Sequence, residues 1–175
     1  EELSVSDRNN IGYQYTDCPL YWISVIYLNF AEAKAEMGSL TQDDLNNSIN
    51  KLQARAGLPA MTTTPDADPA NNMGVSNLIW EIRRCRRCEL IMDNWYRYWD
   101  LIRWHQLDKL DSTKYPNTML GANVSNVPDC EEATKNGYID ASDAQIRTYE
   151  AKHYFYPIPT TQLTLNKNMK QNPGW

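Results

Sequence analysis

Residues 82–104 read IRRCRRCELIMDNWYRYWDLIRW, and they decide the fold, because arginines, tryptophans and single carboxylates recur there at helical spacing. On a 3.6-residue period Leu78, Ile82, Cys85, Glu89 and Met92 fall on one side, which predicts a buried helical stripe. Glu89 lies inside that stripe. A carboxylate on an apolar face is costly unless it is paired, so an arginine is expected against it, Arg97 or Arg103 first because their helix follows directly. Arg83, Arg84 and Arg87 lie opposite the stripe and are expected on a solvated face or an interdomain contact. After a break at Asp93-Asn94, Trp95, Trp99 and Ile102 mark one face of a second helix and Leu101 and Trp104 another. Arg97, Asp100 and Arg103 are spaced for i, i+3 ion pairs. A helix apolar on two sides is expected to be sandwiched, so its tryptophans are assigned to packing.

Working outward, residues 1–19 are polar and aperiodic and read as an opening strap. Residues 20–37 are apolar nearly all round, with Asn29, Glu32 and Glu36 as a polar strip, and predict a central helix that Gly38 terminates. Thr41-x-x-Asp44 is a capping-box signature for a second helix whose Leu45, Ile49, Leu52 and Ala56 face the core, closed by Gly57 and Pro59. Together they form one antiparallel pair of the tetratricopeptide kind, too little for a repeat array. Residues 61–74 are a surface loop, and Ser76 is the N-cap of the helix that carries Glu89. Residues 111–139 are rich in Asn, Pro, Gly and Asp and are expected to wrap over the helices as a long ordered loop. A short helical turn is expected in 143–150. Residues 152–163 are expected to be extended, because Pro157 and Pro159 hold Tyr156 and Ile158 out of the helical region.

The chain has 175 residues, 42% of them hydrophobic, and a net charge of −5. That is enough for one domain with a real core, and the charge argues against nucleic acid, which demands a concentrated basic surface. Residues 20–31, the longest mostly apolar run, are too short to cross a bilayer. Eleven Tyr and six Trp stand against two Phe, a choice of rings with polar handles that suits half-wet surfaces and sugar platforms as well as core edges. Cys85-x-x-Cys88 sits in mid-helix without a second ligand pair, Cys18, Cys130, His105 and His153 being scattered, so no metal and no cofactor are expected. Asp93, Asp100, Asp129, Glu131, Glu132, Asp140 and Asp143 could supply the two facing acids of a glycoside hydrolase, yet none stands in a recognisable catalytic setting. No glycine-flanked elbow surrounds a serine nucleophile. The chain is therefore not read as an enzyme. Asn123-Val124-Ser125 matches a glycosylation acceptor.

Several segments together resemble one family. Arg86-Arg87-x-Glu89-Leu90, Arg97-x-x-Asp100-Leu101-x-Arg103-Trp104, Tyr154-Phe155-Tyr156-Pro157-Ile158-Pro159 and Gln171-Asn172-Pro173-Gly174-Trp175 look like the C-terminal part of the SusD/RagB surface lipoproteins of Bacteroidetes. Ala31-Glu32-Ala33, Ile49-Asn50 and Arg55-Ala56-Gly57-Leu58-Pro59 precede them in the expected order. Cys85, where the family carries Glu, and the Asp93-Asn94 pair with one extra residue before Arg97 depart from the pattern. The resemblance implies a mainly α, SusD-like fold with tetratricopeptide-like pairs, long ordered loops and an extended C-terminal tail. It implies that residues 1–175 are one C-terminal domain of a longer protein whose helical N-terminal region, signal and lipid anchor lie elsewhere. In an exported protein a disulfide between Cys18 and Cys130 becomes conceivable. The implied activity is non-catalytic: capture of an oligosaccharide or other nutrient at the outer-membrane surface and delivery to a TonB-dependent SusC-like transporter. Arg86, Glu89, Arg97, Asp100, Arg103 and Trp104 match the fold-defining motif and are expected to hold the structure. Ligand contact falls upstream in the family, and within this chain Tyr115 and Tyr138 are the aromatics nominated for it. A helical-repeat module that binds protein is the alternative reading, and a hydrolase the third.

Overall fold

The computed structural model describes residues 21–92, 96–128, 134–141 and 145–175, with backbone alone at Thr134 and Lys135. The opening strap, the Asp93-Asn94 break, Trp95, Cys18, Cys130, Asp129, Glu131, Glu132 and Asp143 lie outside them. The fold is mainly helical and divides into two compact units, Glu1–Met92 and Asp93–Trp175.

In the first unit, α1 (Ile23–Glu36) and α4 (Asn77–Glu89) are the long helices, with two shorter ones between them, α2 (Gln42–Asn46) and α3 (Ile49–Arg55). Thr41 and Asp44 close the expected capping box at the start of α2, and Lys34 reaches across from α1 to Asp44 at 2.8 Å. The predicted second helix is broken at Ser48, whose buried hydroxyl donates to the Asp44 carbonyl. A serine that bonds back to the preceding turn competes with the helical ladder, and here it separates α2 from α3. Leu45, Ile49 and Leu52 still reach the core with Val25, Leu28, Ala31, Met61 and Ile82, whereas Ala56 is exposed at the helix end. Asn50 ties the following loop to α3, donating to the Met61 carbonyl at 3.1 Å and accepting from its N–H at 2.7 Å.

Ser76 caps α4 by accepting from the Ile79 N–H. The buried line of α4 is Ile82, Arg86 and Leu90, displaced from the predicted stripe. Leu78, Cys85 and Glu89 are only half-buried, and Met92 lies beyond the helix end, fully exposed with a φ of 66°. The reason is the neighbour. α4 packs along α1, and the polar strip Asn29, Glu32 and Glu36 meets its arginines: Arg83 donates to Glu32 and Glu36, each at 3.0 Å, and Arg86 donates to Asn29 at 2.8 Å. The opposite side of α1, with Ile23, Ile26 and Phe30, is exposed, so the expected all-round burial of this helix is not met.

The second unit starts with α5 (Tyr96–Arg103), which buries Asp100 and Leu101. A 3-10 turn, Leu107–Leu110, leads to Asp111, a buried carboxylate that accepts from the Thr113 hydroxyl at 2.5 Å and from the backbone N–H groups of Thr113 and Tyr149 at 2.9 and 3.1 Å. That knot pins the start of the predicted wrapping loop to the chain near residue 149. The loop is not irregular throughout. It holds a three-stranded antiparallel sheet in the order β1-β3-β2, with β1 Leu120–Asn123, β2 Thr134–Lys135 and β3 Tyr138–Asp140. The β2–β3 turn is Asn136-Gly137, with φ of 54° and 80°, a pair of left-handed residues that matches the twist of a two-residue hairpin. A side chain at position 137 would also collide with the Ser125 hydroxyl.

The helical turn expected in 143–150 does not form in the described part of that stretch; a 3-10 turn follows it instead, Ala151–Tyr154. The extended segment is shorter than expected, since α6 (Thr160–Leu165) begins directly after Pro159. The C-terminal tail fastens this segment residue by residue. Gln171 accepts from the Ile158 N–H at 2.8 Å and donates to its carbonyl at 3.0 Å, Asn172 donates to the Tyr156 carbonyl at 2.6 Å, and the Trp175 indole donates to the Phe155 carbonyl at 2.9 Å.

Candidate functional site

The six residues of the arginine-rich motif divide between the two units. In the first, Arg86 is buried against Asn29, and Glu89 accepts two hydrogen bonds from Arg55, at 2.6 and 2.7 Å. The expected pairing of Glu89 with Arg97 or Arg103 is therefore corrected. Its partner comes from the end of α3, because α3 lies beside α4, a proximity that sequence order does not reveal. Arg55 is itself 67% exposed, so this is an edge pair and not a buried one. The buried pair is Arg83 with Glu32, at 11% and 3% side-chain exposure, which also corrects the placing of Arg83 on a solvated face. Arg84, one residue on, does face solvent and pairs within its own helix with Glu81, which holds the guanidinium well above its ordinary pKa.

In the second unit, Arg103 donates to Asp100 at 2.9 Å, the i, i+3 pair anticipated from spacing. The Arg103 guanidinium stacks over the Trp104 ring at 4.6 Å and Arg97 approaches the same ring at 6.0 Å. Trp104 is buried, as a packing tryptophan should be. Trp99 is not: it is 55% exposed, so a packing role for all the α5 tryptophans does not hold. An i, i+4 spacing fixes which rings share a face but not whether a neighbour covers it.

Two places in the described residues combine access with suitable chemistry. The first is a cleft of about 570 Å³ in the first unit, where Gln53, Met61, Thr64 and Asp66 meet the Glu81–Arg84 pair. Its lining of hydroxyls, an amide and a fixed ion pair suits hydrogen bonding to a polar ligand. Cys85 stands nearby, its thiol receiving Gln53 at 3.9 Å and pushed up to about 12 by burial, while Cys88 is exposed. A thiol so raised is a poor nucleophile at neutral pH. The second place is a group of aromatic rings on α5 and the C-terminal strap. Tyr98 meets Trp99 edge-on, with ring centroids 5.5 Å apart and planes at 68°, and its hydroxyl lies 3.3 Å from that of Tyr156. Hydrogen bonding to Tyr156, then burial, raises the Tyr98 pKa, so its hydroxyl stays protonated at physiological pH.

Of the two nominated tyrosines, Tyr115 is half-buried with Lys109 over its ring at 5.1 Å, and Tyr138 is exposed at the start of β3. The sequence reading missed the ring group because it assigned Trp99 to the core. Among the described residues no helix is long and apolar enough to cross a membrane, and no three His, Cys, Asp or Glu side chains gather as a metal site.

The model of the SusD family matches residues 3–175. Among solved structures, a SusD-like protein from Bacteroides fragilis is similar, with a TM-score of 0.57 and 25% identity over 87% of this chain. The chain spans a quarter of that protein's length. No curated protein matches.

Proposed function

We propose, from the premise that the chain belongs to the SusD family, that its two units form the C-terminal portion of a surface nutrient-binding lipoprotein, which captures an oligosaccharide without altering it and passes it to a TonB-dependent SusC-like transporter. The observation that carries the reading is the family match over nearly the whole chain, tail included. The side chains support it. Asp100 is buried against Arg103, the posture of a structural ion pair and not of an acid waiting for substrate. The accessible places offer hydroxyls, amides and aromatic faces, which hold a sugar by hydrogen bonds and stacking. Tyr138 is a further ring for such contact on the same reading. Attachment to the outer membrane would come through a lipid anchor.

A printed glycan array probed with the chain, and with a longer protein that contains it, tests the reading. Retention of one glycan class, with no cleavage products on prolonged incubation, is the expected result. A second reading, a helical module that binds protein, has one observation in its favour, the exposed Ile23, Ile26 and Phe30 on α1.

A further inference from the structure

We propose that Trp99 and Tyr156, joined through Tyr98, form a sugar-stacking platform within the second unit, a contact site additional to whatever the rest of a longer protein provides. The inference rests on the glycan-binding reading for the class of its ligand and on the geometry for its location. Trp99 and Tyr156 are 55% and 70% exposed, yet neither is loose. Trp99 stands on α5, which is anchored below by buried Leu101 and by the Asp100–Arg103 pair, and Tyr98 braces its ring edge-on. Tyr156 is held from the other direction. Its carbonyl takes the Asn172 amide, Pro157 fixes the next φ, and Gln171 grips Ile158 on both sides. The phenol contact between Tyr98 and Tyr156 then links the two anchored elements.

Rings fixed before binding lose little conformational entropy when a ligand arrives, which is the condition for useful affinity from a small contact. Their chemistry selects the ligand. An indole face and a phenol face present flat apolar surface to the C–H side of a pyranose, and the two phenolic hydroxyls present donors and acceptors to its rim. An aliphatic helix or a lipid chain would gain nothing from that hydroxyl pair. A ring in the second unit that serves packing alone, Trp104, is buried beneath arginines, so exposure separates the two uses of tryptophan within a few residues.

The test is the indole N–H region of a ¹⁵N NMR spectrum of the chain, recorded with maltohexaose, xylohexaose, mannohexaose and laminarihexaose at millimolar concentration. The Trp99 resonance, assigned through Trp99→Ala, is expected to move with at least one of them while that of Trp104 stays. Trp99→Ala and Tyr156→Ala should each weaken that binding about tenfold, a change of about 1.4 kcal/mol, with thermal melts close to the parent's. The two substitutions lie on different elements, so the failure of one to fold leaves the other decisive. Sugar binding that survives both at parental strength overturns the platform and leaves the glycan reading standing. A parent that responds to none of the four sugars, or a Trp99 signal that moves only with apolar peptides, overturns the reading and the platform together.

Discussion

Replacing Arg83 by Ala removes a guanidinium that joins α4 to two carboxylates of α1, and the consequence can be worked from the burial of each partner. The Glu32 carboxylate is almost wholly enclosed and loses a charged partner at 3.0 Å, and breaking a buried pair of this kind costs about 3 to 5 kcal/mol. The arm to Glu36 is half-exposed and adds less than about 1 kcal/mol. For a chain of this size a loss near 4 kcal/mol lowers the melting midpoint by on the order of 10 °C. Arg84→Ala is the internal control. The same residue type one position along, in an exposed i, i+3 pair with Glu81, should cost under about 1 kcal/mol. Thermal melts followed by circular dichroism compare the two, and Glu32→Ala with the double variant closes a cycle that isolates the pair. An Arg83→Ala protein that melts within about two degrees of the parent, or an Arg84→Ala protein equally damaged, refutes the claim that the enclosed Arg83–Glu32 pair holds α4 to α1.

Glu89→Ala should be mild, at most about 1 kcal/mol, since it releases Arg55 into solvent and not into the core; a loss as large as that of Arg83→Ala would show Glu89 to be the buried member instead. The carboxyls of Asp44 and Asp111 sit at about 2, below the ordinary 3.8, held there first by Lys34 and by the Thr113 hydroxyl respectively. Because these folded values are depressed, the stability they contribute is complete above the unfolded value and is lost as pH falls toward about 2. Melts taken across that window should show the decline, and Asp111→Asn should flatten it. Cys88 should be alkylated by iodoacetamide at pH 8 long before Cys85, whose thiol remains protonated; peptide mapping that finds Cys85 modified first contradicts its placement against Gln53.

What the sequence discloses here is local chemistry. The Thr41/Asp44 box, the Ser76 cap and the core positions Leu45, Ile49, Leu52 and Ile82 are legible because each depends on spacing within one segment. Asp100–Arg103 is legible for the same reason. Glu89 asks for a cation that the sequence does contain, but which arginine answers depends on helix neighbours separated by 34 residues. Asn29, Glu32 and Glu36 show the same limit: a polar strip on a central helix does not say which arginines lie along it. The Asn136-Gly137 hairpin carried a readable signature that its turn-rich surroundings obscured. For the candidate site, Tyr98, Trp99 and Tyr156 are visible as residues, but their meeting depends on a tail 16 residues beyond Tyr156 that fastens the strap.

Calorimetric titration tests the central claim most directly, using the oligosaccharide retained on the array, with the chain and with a longer protein that contains it. Weak binding by the chain, no tighter than millimolar or about 4 kcal/mol, and binding at least about tenfold tighter by the longer protein is the predicted result, since one platform alone offers few contacts. Equal and tight binding by both would place a complete site within these residues, and no heat with either would contradict capture of a glycan.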